Sequence, residues 1–309
     1  MLKITFLNVS EGDSILVEEG DLRFLVDTGK AEVDAPWPSA TCAEHLSRLG
    51  IDHLDAVLIT HLHLDHMGGL ADVAAHVRID RLVSGWFPRD PAAVLKDRPG
   101  AVKTVRNLIK ALDRWSRTVK TMADAGCALV TVDRTRRDLR LTERLSAELI
   151  LPDAELWALE KNVWDGMYEG KALTEDELYR ASKARNPNSL RLKLSYAGRT
   201  VLLAADCYGE CWEREAEGPC DLLKVPHHGD RRSLTPGLVV ALKPREAVIS
   251  CGRTYVERKD RPSGNAVRLL RGVGARVWYT DAYDDGVQRV RSAPGLVCTI
   301  DDTGAMELE

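Results

Sequence analysis

Thr60-His61-Leu62-His63-Leu64-Asp65-His66-Met67-Gly68-Gly69 decides the reading of this 309-residue chain. The run follows an apolar strand, Ala56 to Thr60, and leads through two glycines into a helix-like stretch from Leu70 to Val77. Alternation on a strand-end loop sends His61 and His63 toward one side, and Asp65 and His66 then turn to a second point nearby. Neutral imidazole nitrogens and carboxylate oxygens are ligands that borderline divalent metals accept. Two adjacent pairs of such ligands suggest two adjacent metals. The chain has only eight histidines, so three of them in one short run beside an aspartate are poorly explained as an ordinary polar loop.

The rest of such a site is sought at the ends of other strands. The apolar run Arg23 to Val26 ends on Asp27-Thr28-Gly29, and Thr200 to Ala205 ends on Asp206. Asp221 to Val225 leads through Pro226 into His227-His228-Gly229. Apolar runs of this length read as strands buried on both faces. An aspartate after one strand is usually a turn former. Several strands that all end in ligand-type residues are what a metal site at a sheet edge requires.

With these motifs in place, the chain resembles the metallo-β-lactamase superfamily, and within it the branch of the hydrolase domain of the DNA-uptake protein ComEC. The resemblance is carried by the opening run Phe6 to Val17 with its Gly12-Asp13-Ser14 turn, by Asn186-Pro187-Asn188-Ser189-Leu190, and by Lys224-Val225-Pro226-His227-His228-Gly229. It extends from the first strand to about Tyr279-Thr280-Asp281. It implies an αββα sandwich in a single domain over 1–309. Two pseudo-symmetric halves, about 1–151 and 189–309, would flank an inserted helical segment at about 152–187.

The resemblance also implies roles. His61 and His63 would hold one divalent ion, Asp65, His66 and His228 a second, and Asp206 would bridge them. Asp27 would orient a ligand imidazole from behind. Asp65 and His227 are the expected catalytic residues, with His227 as a phosphate contact or proton donor. Many members of the superfamily supply a third histidine to the first ion. Here no histidine lies between His76 and His227, so Asn188 or water is expected in that place. The ions are therefore expected to be zinc or manganese, with the first site less selective for zinc. A late Gly-His-Pro segment of the family appears as Asp260-Arg261-Pro262, a guanidinium in place of an imidazole.

Two bridged divalent ions activate water near neutral pH and clamp phosphoryl oxygens, but they serve other esters and amides as well. Substrate choice must come from the surroundings. Lys96 to Lys120 is rich in lysine and arginine, and from Val102 its apolar residues recur at helical spacing. Such a face is read equally as merely solvated or as a nucleic-acid contact through Lys103, Arg106, Lys110 and Arg114. Arg134, Arg136, Arg137 and Arg140 form a second cluster; Arg231, Arg232, Arg253, Arg258, Lys259 and Arg261 form a third beside the metal-site segments. Arginine forks suit phosphates, which makes Arg231 and Arg261 candidate substrate contacts. Trp86 and Phe87 fit a base-stacking role less well than a place in the core.

The net charge of −4 argues against a protein that coats nucleic acid generally, though a local basic groove is compatible with it. No apolar run is long enough to cross a bilayer and the first residues read as a strand, so a cytoplasmic location is expected, with the soluble part of a ComEC-like protein and no channel. The seven cysteines are scattered and read as free thiols, with only Cys207 placed to approach a metal. The segment from Pro152 to Pro187 contains two helix-like pieces and could lid the site, bind a partner or pack outside the sandwich. The expected activity is that of a metal-dependent phosphodiesterase or nuclease acting on DNA, with a protein partner in a defence or DNA-processing assembly possible in principle. The rivals are a hydrolase of a small phosphodiester, such as a cyclic nucleotide or phosphorylcholine ester, and a metal-binding module that docks a partner.

Overall fold

Alternating side chains on two stacked sheets divide the interior into three apolar layers. The computed structural model describes residues 1–95, 98–133, 138–213, 218–252 and 261–309. The chain opens with β1 (Leu2–Leu7), β2 (Ile15–Glu19), β3 (Leu22–Val26), α1 (Cys42–Arg48), β4 (His53–Leu54) and β5 (Ala56–Ile59). Next come α2 (Leu64–Met67), α3 (Leu70–His76), β6 (Arg78–Ile79), β7 (Arg81–Ser84), α4 (Lys103–Asp124) and β8 (Ala128–Thr131). The middle holds β9 (Asp138–Arg140), β10 (Ser146–Ile150), α5 (Ala154–Tyr168), α6 (Glu175–Ala184), β11 (Arg191–Tyr196) and β12 (Arg199–Leu203). There follow α7 (Gly209–Trp212), β13 (Leu222–Lys224), a 3₁₀ turn over Pro226–Gly229, α8 (Pro236–Leu242) and β14 (Glu246–Ile249). The chain closes with α9 (Gly264–Gly272), β15 (Arg276–Tyr279), β16 (Tyr283–Asp284), β17 (Arg289–Val290), β18 (Gly295–Ile300) and β19 (Met306–Leu308).

One sheet has the order β19-β18-β1-β2-β3-β5-β7-β8, and the other β15-β14-β13-β12-β11-β10-β9. Leu2, Ile4 and Phe6 of β1, Phe24 and Val26 of β3, and Val201 and Leu203 of β12 all enter the layer between the sheets. Their neighbours face outward: Leu25 lies in the layer under α1, α3 and α4, and Leu202 in the layer under α8 and α9. That is the αββα sandwich expected. The sheets divide the chain elsewhere than at 151 and 189, because β9 and β10 already belong to the second sheet and β18 and β19 return to the first.

The 152–187 segment forms α5 and α6 and is not a detached appendage. Trp164 is buried among residues of α4 in the first outer layer, while Trp157 enters the layer between the sheets. Trp86 donates from its indole nitrogen to Asp165 at 2.8 Å and packs on Trp164, while Phe87 stacks on Trp115. Both aromatic residues are thus core or wall groups, and base stacking by them is excluded by their packing. No helix of the described residues is long and apolar enough to cross a membrane.

Strands β3, β5, β7 and β8 run parallel, as do β12, β13, β14 and β15. Parallel strands bring their carboxyl ends to one edge, the usual place for a site in an open α/β sheet. Asp27, His61, Asp206 and His227-His228 each follow the last residues of such a strand.

Candidate metal centre

The His-rich loop owes its shape to a short helix and a close backbone approach. His63 is the N-cap of α2, so Asp65 and His66 fall in a single helical turn that swings them away from His61 and His63. Thr28 clamps that turn: its backbone N–H and its hydroxyl both donate to the His66 carbonyl, at 2.6 and 3.0 Å. Asp13 N–H donates to the Asp65 carbonyl at 3.2 Å. Gly12 precedes it at φ +125°, and a Cβ there would lie 2.1 Å from the Asp65 oxygen. Only glycine fits that approach.

The second sheet delivers its residues through strained backbone. Ala205, His227 and His228 have φ of 47°, 46° and 54°, and Asp27 on the first sheet has 59°. Left-handed conformations in residues that carry a Cβ cost about 1–3 kcal/mol each and persist where surrounding contacts hold them, often at functional sites. Here four of them ring one point.

The side chains converge there. His66 Nδ1 lies 2.8 Å from Asp27 Oδ2, and Asp27 also accepts from the Thr60 backbone and hydroxyl at 2.8 and 2.7 Å. The carboxylate can only accept, so Nδ1 carries a proton; Asp206 and Asp27 outweigh burial and raise His66 well above its usual value, with Nε2 facing Asp206 Oδ2, 3.3 Å away. His228 repeats the arrangement. Its Nδ1 donates to the Ser250 carbonyl at 3.2 Å, which leaves Nε2 facing Asp65 and Asp206 at 3.6 Å each. His61 Nε2 lies 2.9 Å from His63 Nδ1 and 3.8 Å from Asp206 Oδ2.

Five of the six expected ligands meet in sets of three, though not in the grouping that the resemblance implied. Asp13 forms sets of three with Asp206 and His228 and with Asp27 and His66, and the expected ligands form two more with their ligand atoms within 4.8 Å of one another: His61, His66 and Asp206, and Asp65, His66 and His228. His66 is common to both. His63 touches His61 but joins no set of three among the described residues, and no cysteine does either, Cys207 included. Cys207 is buried and donates toward the Pro187 carbonyl.

Electrostatics favour a cation at this point. Burial disfavours the imidazolium form of His61 and His63, and the positive groups beside them add to it, so both lie well below the usual value and present neutral rings. Burial by itself would raise Asp65 and Asp206, yet His228 and His66 hold both carboxyls well below the ordinary range. Asp206 Oδ1 and His66 Nε2 are buried without a hydrogen-bond partner. Buried polar atoms left so are costly, and a divalent ion satisfies a lone pair and a carboxylate oxygen together. The residues present fit the metal.

Two supporting arrangements were not legible in the sequence. Lys224 and Asp13 form an ion pair with Lys224 wholly buried, and Asp13 Oδ1 lies 3.7 Å from His228 Nδ1. The Gly-Asp-Ser turn was visible, but only the fold shows that Asp13 and Lys224, far apart in sequence, meet behind the histidines. Asn186 is the second case. It lines the cavity over the cluster, and its Nδ2 lies 3.1 Å from His227 Nε2 and 3.2 Å from the Tyr208 hydroxyl. The expectation for Asn188 is corrected: its amide donates to the Leu156 carbonyl and to Glu160, at 3.1 and 2.9 Å, which ties it to α5.

A cavity of about 400 Å³ opens over the ligands, lined among others by His63, Asp65, Arg185, Asn186, Tyr208, His227 and Arg261. His227 is on this side, as expected, and burial pushes it down to about 4, so it is neutral near pH 7. Arg185 is buried and donates to the Leu62 carbonyl at 3.2 Å. Arg261 lies 3.7 Å from Asp230. Other expected substrate residues stand elsewhere. Arg231 is exposed, and Lys103 and Arg106 point to solvent on α4 without lining the cavity. Thr104 and Asn107 take that position, because the helix turns its apolar face to the sheet and leaves only the adjacent flank for the site. Lys96, Arg134, Arg136, Arg137, Arg253, Arg258, Lys259, Asp260 and the side chain of Arg140 lie outside the described residues.

Residues 7–84 match the family model of the metallo-beta-lactamase superfamily. The chain carries a metallo-β-lactamase superfamily match in its first sheet and that superfamily's fold throughout. It is classed with metal-dependent hydrolases. It is 24% identical to ComE operon protein 3 of Bacillus subtilis over 299 residues, 90% of this chain and 32% of that protein. It is 32% identical to ribonuclease Z of Mycolicibacterium gilvum over 119 residues, 36% of this chain and 37% of that one. The chain thus spans about a third of the length of these curated relatives. Among solved structures, the metallo-beta-lactamase fold protein YhfI of Bacillus subtilis superposes with a TM-score of 0.50 at 12% identity, covering 90% of this chain and 96% of that one. That likeness speaks for the fold.

Proposed function

We propose that this domain is a metal-dependent phosphodiesterase that cleaves nucleic acid, with DNA as the leading substrate. The observation that carries the proposal is the cavity itself: a buried His/Asp cluster at its base, with Arg185, Arg261, Asn186, Tyr208 and His227 around it. Guanidinium, imidazole and hydroxyl groups around two divalent ions suit a phosphoryl group, whose charge must be neutralised on several oxygens at once. Ribonuclease Z is by its name an enzyme of RNA cleavage, and the sequence motifs resemble those of the DNA-uptake protein ComEC, which together support a polynucleotide over a β-lactam or thioester.

His61, His66 and Asp206 would hold one ion, with His63 beside His61, and Asp65, His66 and His228 offer the ligands for the other. Bound there, two such ions supply a water activated near neutral pH and positive charge for the phosphoryl oxygens. The chain supplies the rest. Asp27 and Ser250 fix the tautomers of His66 and His228, so their Nε2 lone pairs stay aimed at the site. Neutral His227 accepts from Asn186 at Nε2, the nitrogen that also faces Asp206 at 3.9 Å, and turns its Nδ1–H toward Asp230, 3.8 Å away. Tyr208 accepts from Asn186 and keeps its own O–H free to donate to a phosphoryl or leaving oxygen. Arg185 and Arg261 add fixed positive charge at the wall.

A small phosphodiester remains the second reading, because about 400 Å³ suits a small ligand. Incubating the metal-supplemented protein with labelled single- and double-stranded DNA, RNA and small diesters tests both. Polynucleotide cleavage that falls steeply with salt is expected. Turnover confined to small diesters, insensitive to salt, would overturn the nuclease reading. Manganese should serve at least as well as zinc, since oxygen ligands replace the third imidazole at the first ion.

A further inference from the structure

We propose that the groove beside α4 is a track for the nucleic-acid strand leaving the metal cavity on one side, with Lys110 and Arg114 as its two charged contacts. The proposal rests on the nuclease reading and says where the polymer runs. Thr104 and Asn107, on the first turns of α4, line the metal cavity. Farther along the same helix, Lys110, Asp113, Arg114, Arg117 and Thr118 line a second cavity of about 460 Å³ with Leu64 and Ala71. Leu64 lines both cavities and stands next to Asp65, so the surface is continuous from the metal ligands to the basic groove.

Charge along this surface follows what a polyanion would need. Beside the metals, α4 presents an uncharged hydroxyl and an amide, where bound ions would already neutralise the scissile phosphate. Beyond them the lining turns cationic. Arg117 is held by Asp113 at 2.5 Å, and Lys120, one turn beyond the groove, by Asp124 at 2.6 Å. Lys110 and Arg114 have no carboxylate partner among the described residues, although the chain as a whole is acidic. They stand one turn apart, about 6 Å along the helix axis. A small diester seated on the metals would reach neither. A chain that carries one charge per residue and continues past the metals meets both. The strand enters between two walls, with Thr104 and Asn107 of α4 on one side and Ser182 and Lys183 of α6 on the other, which favours a single strand.

The test compares the wild type with Lys110→Ala, Arg114→Ala and with the charge-reversed Lys110→Glu, Arg114→Glu. Lys3→Ala, Arg23→Ala, on the first sheet, removes the same charge elsewhere and is the control. The probes are a long single-stranded oligodeoxynucleotide and a chromogenic small phosphodiester. The alanine pair should weaken oligonucleotide binding about tenfold at low salt and flatten the slope of log affinity against log salt by about 1.4, from about 0.7 per phosphate contact. Charge reversal should weaken binding further. Turnover of the small diester should be unchanged in both, which also shows that they fold. Unchanged oligonucleotide affinity and slope in a wild type that cleaves the strand would overturn the track and leave the nuclease reading standing. A wild type that turns over the small diester but neither binds nor cuts the strand would overturn the nuclease reading and the track together.

Discussion

The base of the metal cavity and the groove beside α4 are built on opposite principles. At the base, His66, Asp206 and His228 are 0%, 1% and 0% exposed, and the two imidazoles are aimed by Asp27 and the Ser250 carbonyl behind them. In the groove, Lys110 is exposed, Arg114 is half-buried, and no described carboxylate fixes either. A metal tolerates little positional error, so its ligands need rigid support. A flexible polyanion tolerates much, and long side chains that stay solvated meet it at small entropic cost. Mutations in the two places should therefore differ in kind. They should be severe and cooperative at the base, graded and salt-dependent in the groove.

The largest effect should come from Asp206→Ala, which removes the carboxylate common to the cluster. Activity should vanish while the fold persists, as read by turnover and circular dichroism together; residual activity near wild type would break the contrast. Lys224→Met should strike stability instead. It strands the buried Asp13 carboxylate, and losing one partner of a buried pair costs about 3–5 kcal/mol, measurable by denaturant unfolding. Asp27→Ala frees His66 Nδ1 and the Thr60 hydroxyl, and metal affinity should fall about 10–100-fold, as for other losses of support behind a ligand.

The sequence showed the base far better than the groove. Ligand chemistry demands particular residue types, and parallel strands place them at one edge, so the histidine run and the aspartates after β3 and β12 could be read directly. Which ligands group together could not. That depends on the single turn of α2, which gives His66 to both sets. Asn186 and Asn188 were confused because they are two residues apart at the end of α6, where the turn direction alone decides which amide faces the cavity. A buried lysine such as Lys224 reads as a surface residue until its distant partner is known. The groove depended on how α4 is rotated about its axis. The helical period identified a basic face, yet rotation favours Lys110 and Arg114 over Lys103 and Arg106.

Two smaller effects sharpen the comparison. Burial raises Glu160, behind Asn188, from 4.5 to about 8. The folded state therefore holds a proton that the unfolded chain releases, and stability falls as pH rises from about 4.5 to about 8 and levels off above that. Glu160→Gln keeps the acceptor for Asn188 and removes this loss. It should match wild type near pH 4 and exceed it at pH 8 by an amount on the order of a few kcal/mol, read from unfolding curves. Identical pH profiles would show that Glu160 is solvated. Smallest of all, Lys103→Ala, Arg106→Ala should change stability by no more than about 0.5 kcal/mol. Its effect on oligonucleotide binding should be well below that of the Lys110 and Arg114 pair.

Calorimetric titration of the metal-stripped protein with manganese or zinc counts the ions that the cluster at the base binds. Two equivalents should bind per chain with no change in secondary structure, and the Asp206→Ala variant should lose at least one of them. Binding of a single ion, unaffected by Asp206→Ala, would contradict a two-ion site.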